Sequence, residues 1–191
     1  RDLVRSRGLG DVYKRQNLFC GVTNHQISFK FNCFFAIKLI CKCPSCAGLN
    51  DPPNIPTFIF TKNDLNQCSK VLDTLKYFNA SMIVLAGFLL KIPLYMIQAY
   101  PNSILNIHPA LLPKYGGKGM YGMNVHNAVV ENNEQESGIT IHYVNENYDQ
   151  GAIIFQATCD IDKFDLPEDV KRKVQALELR HFPSVIESII L

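Results

Sequence analysis

Two periods of hydrophobic and polar positions run through this chain, and the changes between them mark its elements. From Asn54 onward the pattern is regular. Ile55–Phe60 predicts a short strand. Over 63–78, Leu65, Cys68, Leu72, Leu75 and Phe78 fall at helical spacing, so one face is core, with Thr61 or Asn63 as the cap. Met82–Ala86 is continuously apolar, as a central parallel strand covered on both faces must be. Gly87-Phe88-Leu89-Leu90 then bends away, and Pro93 suits the first turn of a helix to about Tyr100. Ile104–Ile107 predicts the next strand, 124–131 a helix, and 137–144 (SGITIHYV) and 152–158 two more strands. Asp165 and Pro167 open a last helix that Pro183 bends or restarts. Strands alternating with helices imply an α/β fold, a mostly parallel sheet with helices on both faces. No internal repeat is visible.

Candidate chemistry concentrates in 104–126, ILNIHPALLPKYGGKGMYGMNVH. Asn106 and His108 lie two apart at the end of a strand, so their side chains point the same way. In an open α/β sheet, ligands bind at the carboxyl ends of the strands. Pro109 and Pro113 stop both kinds of element, and Gly116, Gly117, Gly119 and Gly122 make a loop the backbone can bend freely. The polar loop Asn145–Gly151 carries Asp149, a carboxylate within reach of His108. A converging Asn, His and Asp suit acyl transfer without a covalent intermediate. The His moves protons, the Asp orients it, and the Asn donates to a developing oxyanion. A lone histidine at a strand end is usually structural; the face shared with Asn106 and the later D-x-G single out His108. His126 reads as packing or capping, His142 as the less apolar face of its strand or a wall of the site, and His181 as structural.

NIHPALLPKYGGKGMYGMNVHNAV, followed by GITIHYVNENYDQGAII, resembles the glycinamide ribonucleotide transformylases, folate-dependent formyltransferases of purine synthesis. LAGFLLKIP at 85–93 is similar to that family's folate-pocket segment, and VQALELRHFP at 174–183 to its last helix. The resemblance covers about residues 55–191 and implies a Rossmann-like formyltransferase fold. It further implies transfer of the formyl group of 10-formyltetrahydrofolate, as co-substrate, to the amine of glycinamide ribonucleotide, without a metal. Asn106, a protonated His108 and Asp149 are then catalytic, with Asp149 raising the pKa of His108. Folate contacts fall to the bend of Gly87, Phe88, Leu89, Leu90, Lys91 and Ile92, and to Ile107 and Val144. Contacts to the ribonucleotide fall to Pro109, Gln175 and Glu178. The alternatives are another formyl-folate-dependent formyltransferase or hydrolase, and a non-catalytic folate-binding fragment.

That last alternative comes from the beginning of the chain. The family opens with a strand, a G-x-G-[ST]-N turn and a helix that together hold a phosphate. Here Asn17–Cys20 is a remnant of the strand, and Gly21-Val22-Thr23-Asn24 is the turn with one glycine missing. Gly21, Thr23 and Asn24 are therefore the phosphate candidates. FKFNCFFAIKLICKCPSCAGLN then departs from the family; a frameshift or assembly error across 17–54 is the leading explanation and genuine divergence the alternative. Cys41, Cys43 and Cys46 supply three thiolates, with Cys33 the only candidate for the fourth ligand that a closed zinc site needs, so the zinc reading is set aside. Residues 1–16 resemble a translated sequencing adapter and are set apart as a non-native tail; 17–191 read as one formyltransferase domain.

Composition narrows the setting. The chain has 191 residues, is 47% hydrophobic and carries a net charge of +2. That balance gives no case for nucleic acid or a membrane surface. The longest apolar run, Met82–Leu90, has nine residues, too short to span a bilayer. Five of the seven cysteines crowd into 20–46, which is not the spacing of a secreted disulfide framework, so a cytoplasmic setting is expected. A monomer or homodimer is expected.

Overall fold

The computed structural model describes residues 18–23, 36–41, 57–67 and 70–190. Its strands are β1 (Leu18–Thr23), β2 (Ala36–Cys41), β3 (Thr57–Phe60), β4 (Ala80–Ala86), β5 (Ile104–His108), β6 (Glu136–Tyr143) and β7 (Ile153–Asp160). Its helices are α1 (Lys62–Asn66), α2 (Lys70–Tyr77), α3 (Leu94–Ala99), α4 (Met123–Glu131) and α5 (Pro167–Ile190). The strands form one sheet in the order β3-β2-β1-β4-β5-β6-β7. Pairing is parallel from β3 through β5, whereas β6 and β7 are antiparallel. The strand order reverses between β1 and β4, the place where open α/β sheets bind ligands.

Each face of the sheet carries its own core. Alternation along β4 sends Ile83 and Leu85 to one side, where they meet Ile104, Leu65, Val71, Leu75, Ile92 and Met96. Val84 and Ala86 go to the other side, with Leu105, Ile107, Ile139 and Ile141, under Val125 and Val129 of α4 and Val170, Val174, Phe182 and Ile186 of α5. Each fully buried aliphatic side chain contributes roughly 1.5–3 kcal/mol, so the two layers fix which way β5 faces. With Leu105 and Ile107 committed to the α4–α5 layer, Asn106 and His108 must point to the opposite side.

Several expectations are corrected. The helix over 63–78 is divided into α1 and α2, and the buried stripe of α2 is Val71 and Leu75, not Leu72; Cys68 lies outside the described residues. Thr61 does cap α1, through a reciprocal capping box with Asp64. Pro183 neither breaks nor restarts the last helix. The carbonyl it leaves without a helical donor belongs to Leu179. Gly21 and Thr23 lie inside β1, opposite Val84 and Ala86, rather than in a turn. AIKLIC, whose apolar residues have no helical period, forms β2 beside β1. Asn24, Cys33, Cys43, Cys46 and the tail 1–16 lie outside the described residues.

Candidate active site

Asn106 and His108 stand at the carboxyl end of β5, on the same face as Ile104. Antiparallel pairing places His142 of β6 directly opposite Asn106. The chain then crosses a polar loop to β7. Asn147 N donates to Asn145 Oδ1 at 2.9 Å and Asn145 Nδ2 to Gln150 O at 3.0 Å, so the loop closes on itself. Gly151 ends it. A Cβ there would come within 1.7 Å of the Tyr143 carbonyl oxygen, so only glycine lets the chain return this closely. This tight return swings Asp149 back over β5.

The resulting cluster has a defined protonation pattern. His108 Nε2 is 2.7 Å from the carbonyl oxygen of Tyr115, which can only accept, so Nε2 carries the hydrogen. Nδ1 is the other ring nitrogen, 3.6 Å from Asp149 Oδ2. His142 Nδ1 donates to the Tyr143 carbonyl at 2.8 Å, which leaves Nε2 to accept from the Asn106 amide at 3.1 Å. The amide's second hydrogen remains for an acceptor in the cleft. Asp149 Oδ2 accepts from Gly117 N at 2.8 Å, and its Oδ1 lies 3.7 Å from His142 Nε2.

Burial decides the charge of His108, which is 4% exposed. Desolvation pushes the imidazole below its ordinary value; Asp149 and the Tyr115 carbonyl pull it up without offsetting that, and His142 opposes them. Asp149 therefore acts in the expected direction, but the net shift is downward, and the resting ring is neutral at pH 7 rather than protonated. For Asp149 the largest influence, burial, raises the pKa; His142, His108 and the Gly117 N–H together bring it below the usual carboxylate range.

A cleft opens beside this cluster, lined by Asn106, His142 and Asp149, by Leu85 of β4, by Phe88, Leu90, Lys91 and Ile92 from the bend after it, and by Val144, Asn145, Asn147 and Tyr148. The Lys91 ammonium lies 5.9 Å from the centre of the Tyr148 ring. The bend thus meets the catalytic candidates, with differences from expectation. Gly87, at φ 64, turns the chain, and Leu89 is 42% exposed; neither lines the cleft. Ile107 points into the opposite core. Pro109 is half-buried behind His108, while Gln175 is exposed and Glu178 half-buried on α5; none of the three lines the cleft.

Three participants have no sequence signal of their own. His142 alternates like any strand residue, and only its register with Asn106 brings it into the site. Thr140 is buried at the hinge after β5: its hydroxyl donates to Ala110 O at 2.7 Å and accepts from Leu112 N at 2.9 Å. Tyr115 enters through its backbone carbonyl. His126, read as packing, is 3% exposed, and its Nδ1 has no protein partner among the described residues. Burial first, then Lys171 and His108, lowers its pKa to about 4. Among the described residues no cluster of His, Cys, Asp and Glu is arranged to hold a metal, and no helix is long and apolar enough to cross a membrane.

Residues 21–186 match the family model described as formyl transferase. Among similar proteins, the chain is 41% identical over 140 residues to the chloroplastic phosphoribosylglycinamide formyltransferase of Arabidopsis thaliana, covering 71% of this chain and 48% of that one. It is 32% identical over 161 residues to the phosphoribosylglycinamide formyltransferase of Bacillus subtilis, covering 81% of this chain and 80% of that one. The chain spans about half the length of the plant relatives it matches, 48% and 50%. Among solved structures, the phosphoribosylglycinamide formyltransferase of Bacillus halodurans superposes with a TM-score of 0.72 at 26% identity, over 90% of this chain and 94% of that one.

Proposed function

The chain belongs to the formyl transferase family, and from that premise we propose that it transfers the formyl group of 10-formyltetrahydrofolate to the amine of glycinamide ribonucleotide. The observation that carries the reading is the meeting of Asn106, His108 and Asp149 beside the cleft of the 87–92 bend. Phe88, Leu90, Ile92 and Val144 give that cleft apolar walls suited to a flat heterocycle. Pro109, Gln175 and Glu178 are assigned to the ribonucleotide, and its phosphate to the carboxyl end of β1, where Gly21 and Thr23 lie, with Asn24 following.

In this mechanism the amine attacks the formyl carbon, and the carbonyl oxygen becomes an oxyanion. The second amide hydrogen of Asn106 donates to that oxygen; losing one such donor typically costs on the order of 10²–10³ in rate. His108, neutral at rest, takes the proton of the attacking amine on Nδ1. Asp149 then faces an imidazolium instead of a lone pair, so the ion pair strengthens as the transition state forms. The same proton is available to the folate nitrogen as the carbon–nitrogen bond to it breaks.

The test is a formyl-transfer assay run with and without glycinamide ribonucleotide. Formylated ribonucleotide formed only with the acceptor present is the expected result. Formate released without the acceptor identifies a hydrolase instead. Folate binding with neither product identifies a non-catalytic binder.

A further inference from the structure

Tyr115 is out of place by its own chemistry. Its φ of 55° lies in the left-handed region, which a non-glycine residue occupies only when its surroundings hold it there. Two tethers do so. Its carbonyl takes the Nε2 hydrogen of His108 at 2.7 Å. Its phenol donates to Glu134 Oε1 at 2.9 Å, in the turn between α4 and β6, and Lys114 closes the carboxylate from outside at 2.9 and 3.1 Å. The next two residues serve the other half of the pair. Gly117 N donates to Asp149 Oδ2, and a Cβ on Gly116 would meet Leu112 at 2.6 Å and Asp149 Cβ at 3.2 Å. The 115–117 segment therefore grips the back of both His108 and Asp149; it is held to the rest of the molecule by packing of Tyr115 against the α4–α5 core and, at the polar end of the ring, by the Tyr115–Glu134 bond. It is the opposite of a freely bending glycine loop.

We propose that Glu134 is a positioning residue for the formyl transfer, acting through the Tyr115 phenol and backbone carbonyl to fix the ring of His108. This rests on the reading above that His108 handles the proton. Glu134 is outside the cleft and touches no reacting atom, so its effect falls on orientation and not on binding. Besides Tyr115, the groups facing His108 are Asp149 from the β6–β7 loop, His142 from β6 and His126 from α4; facing Glu134 are Lys114 and the Tyr115 phenol. Without its anchor the Tyr115 carbonyl drifts from Nε2, the ring loses its preference for the Nε2–H form, and a contact that raises the His108 pKa weakens.

Tyr115→Phe and Glu134→Ala test this, since each removes the phenol–carboxylate hydrogen bond, with Lys70→Gln, which removes an exposed ion pair between α2 and Asp64 of α1, as control. Both variants should lower kcat by about 10-fold with KM nearly unchanged, since only orientation in the transition state is lost. The acid limb of the kcat profile should move to lower pH. Independently of turnover, nitrogen NMR of His108 in substrate-free protein should report a mixture of ring tautomers and a lowered pKa. Lys70→Gln should match the parent in every readout. If both variants lose stability but keep the parent's His108 tautomer and titration, the network is only structural and the proposal is overturned. If the parent itself transfers no formyl group, the function reading fails, while the NMR comparison still decides whether Glu134 positions the ring.

Discussion

His108 donates from one ring nitrogen to a carbonyl and turns the other toward a carboxylate 3.6 Å away. Such a ring is tuned by two large opposing influences, burial and Asp149, and is ready to become charged when a proton arrives. His126, nearby on α4, has only the first of these influences. Its pKa of about 4, against an ordinary 6.5, means the folded state prefers the neutral ring. A depressed base contributes stability that is present above about pH 6.5 and lost as pH falls toward 4. Full protonation is worth on the order of 3 kcal/mol. His126→Gln should therefore lose less stability than the parent between pH 7 and pH 4.5, measured as the urea midpoint at each pH. An unchanged difference would show that the acid sensitivity lies elsewhere, for instance in His108, whose shift has the same sign.

At the scale of elements, α5 carries a comparable conflict. Val170, Val174, Phe182 and Ile186 form its buried stripe at intervals of four or eight, and Glu178 occupies the position between Val174 and Phe182. Burial raises that carboxyl to about 7. An acid whose folded pKa lies above its unfolded 4.5 costs stability as pH rises from 4.5 through about 7, since the unfolded chain releases the proton more readily. Glu178→Gln should match the parent near pH 5 and exceed it at pH 8 by on the order of 1–3 kcal/mol in denaturant unfolding. Equal midpoints at both pH values would contradict this. A half-buried carboxyl in line with the core stripe costs the helix stability, and with Glu178 assigned to the ribonucleotide the same variant should bind glycinamide ribonucleotide more weakly. Asp165 and Pro167 signal this helix in the sequence, but its core stripe was not among the expectations. In α2 helical spacing chose Leu72, one residue from the buried Val71, because an apolar pair at adjacent positions leaves the phase of a short helix undecided.

For the whole molecule, what the sequence made legible follows the strength of each local signal. Met82–Ala86 and SGITIHYV declare strands by composition, and Asn106 and His108 share a face by period alone. Register does not show in one sequence: His142 meets Asn106 only because β6 pairs antiparallel with β5 at that offset. Nor does the choice between two cores, which turned Ile107 away from the cleft. Backbone roles, such as those of the Tyr115 carbonyl and Gly117 N–H, leave almost no trace in side-chain identity. Strand β2 was missed since AIKLIC lies inside a stretch without family resemblance. All of these features converge on Asp149, which faces His108 Nδ1 on one side and lines the cleft with Asn106 on the other. Single-turnover formyl transfer from 10-formyltetrahydrofolate to glycinamide ribonucleotide, compared between the parent and a folded His108→Ala variant, examines that point directly. The account predicts a rate at least about 10²-fold lower in the variant; transfer at close to the parent's rate would contradict it.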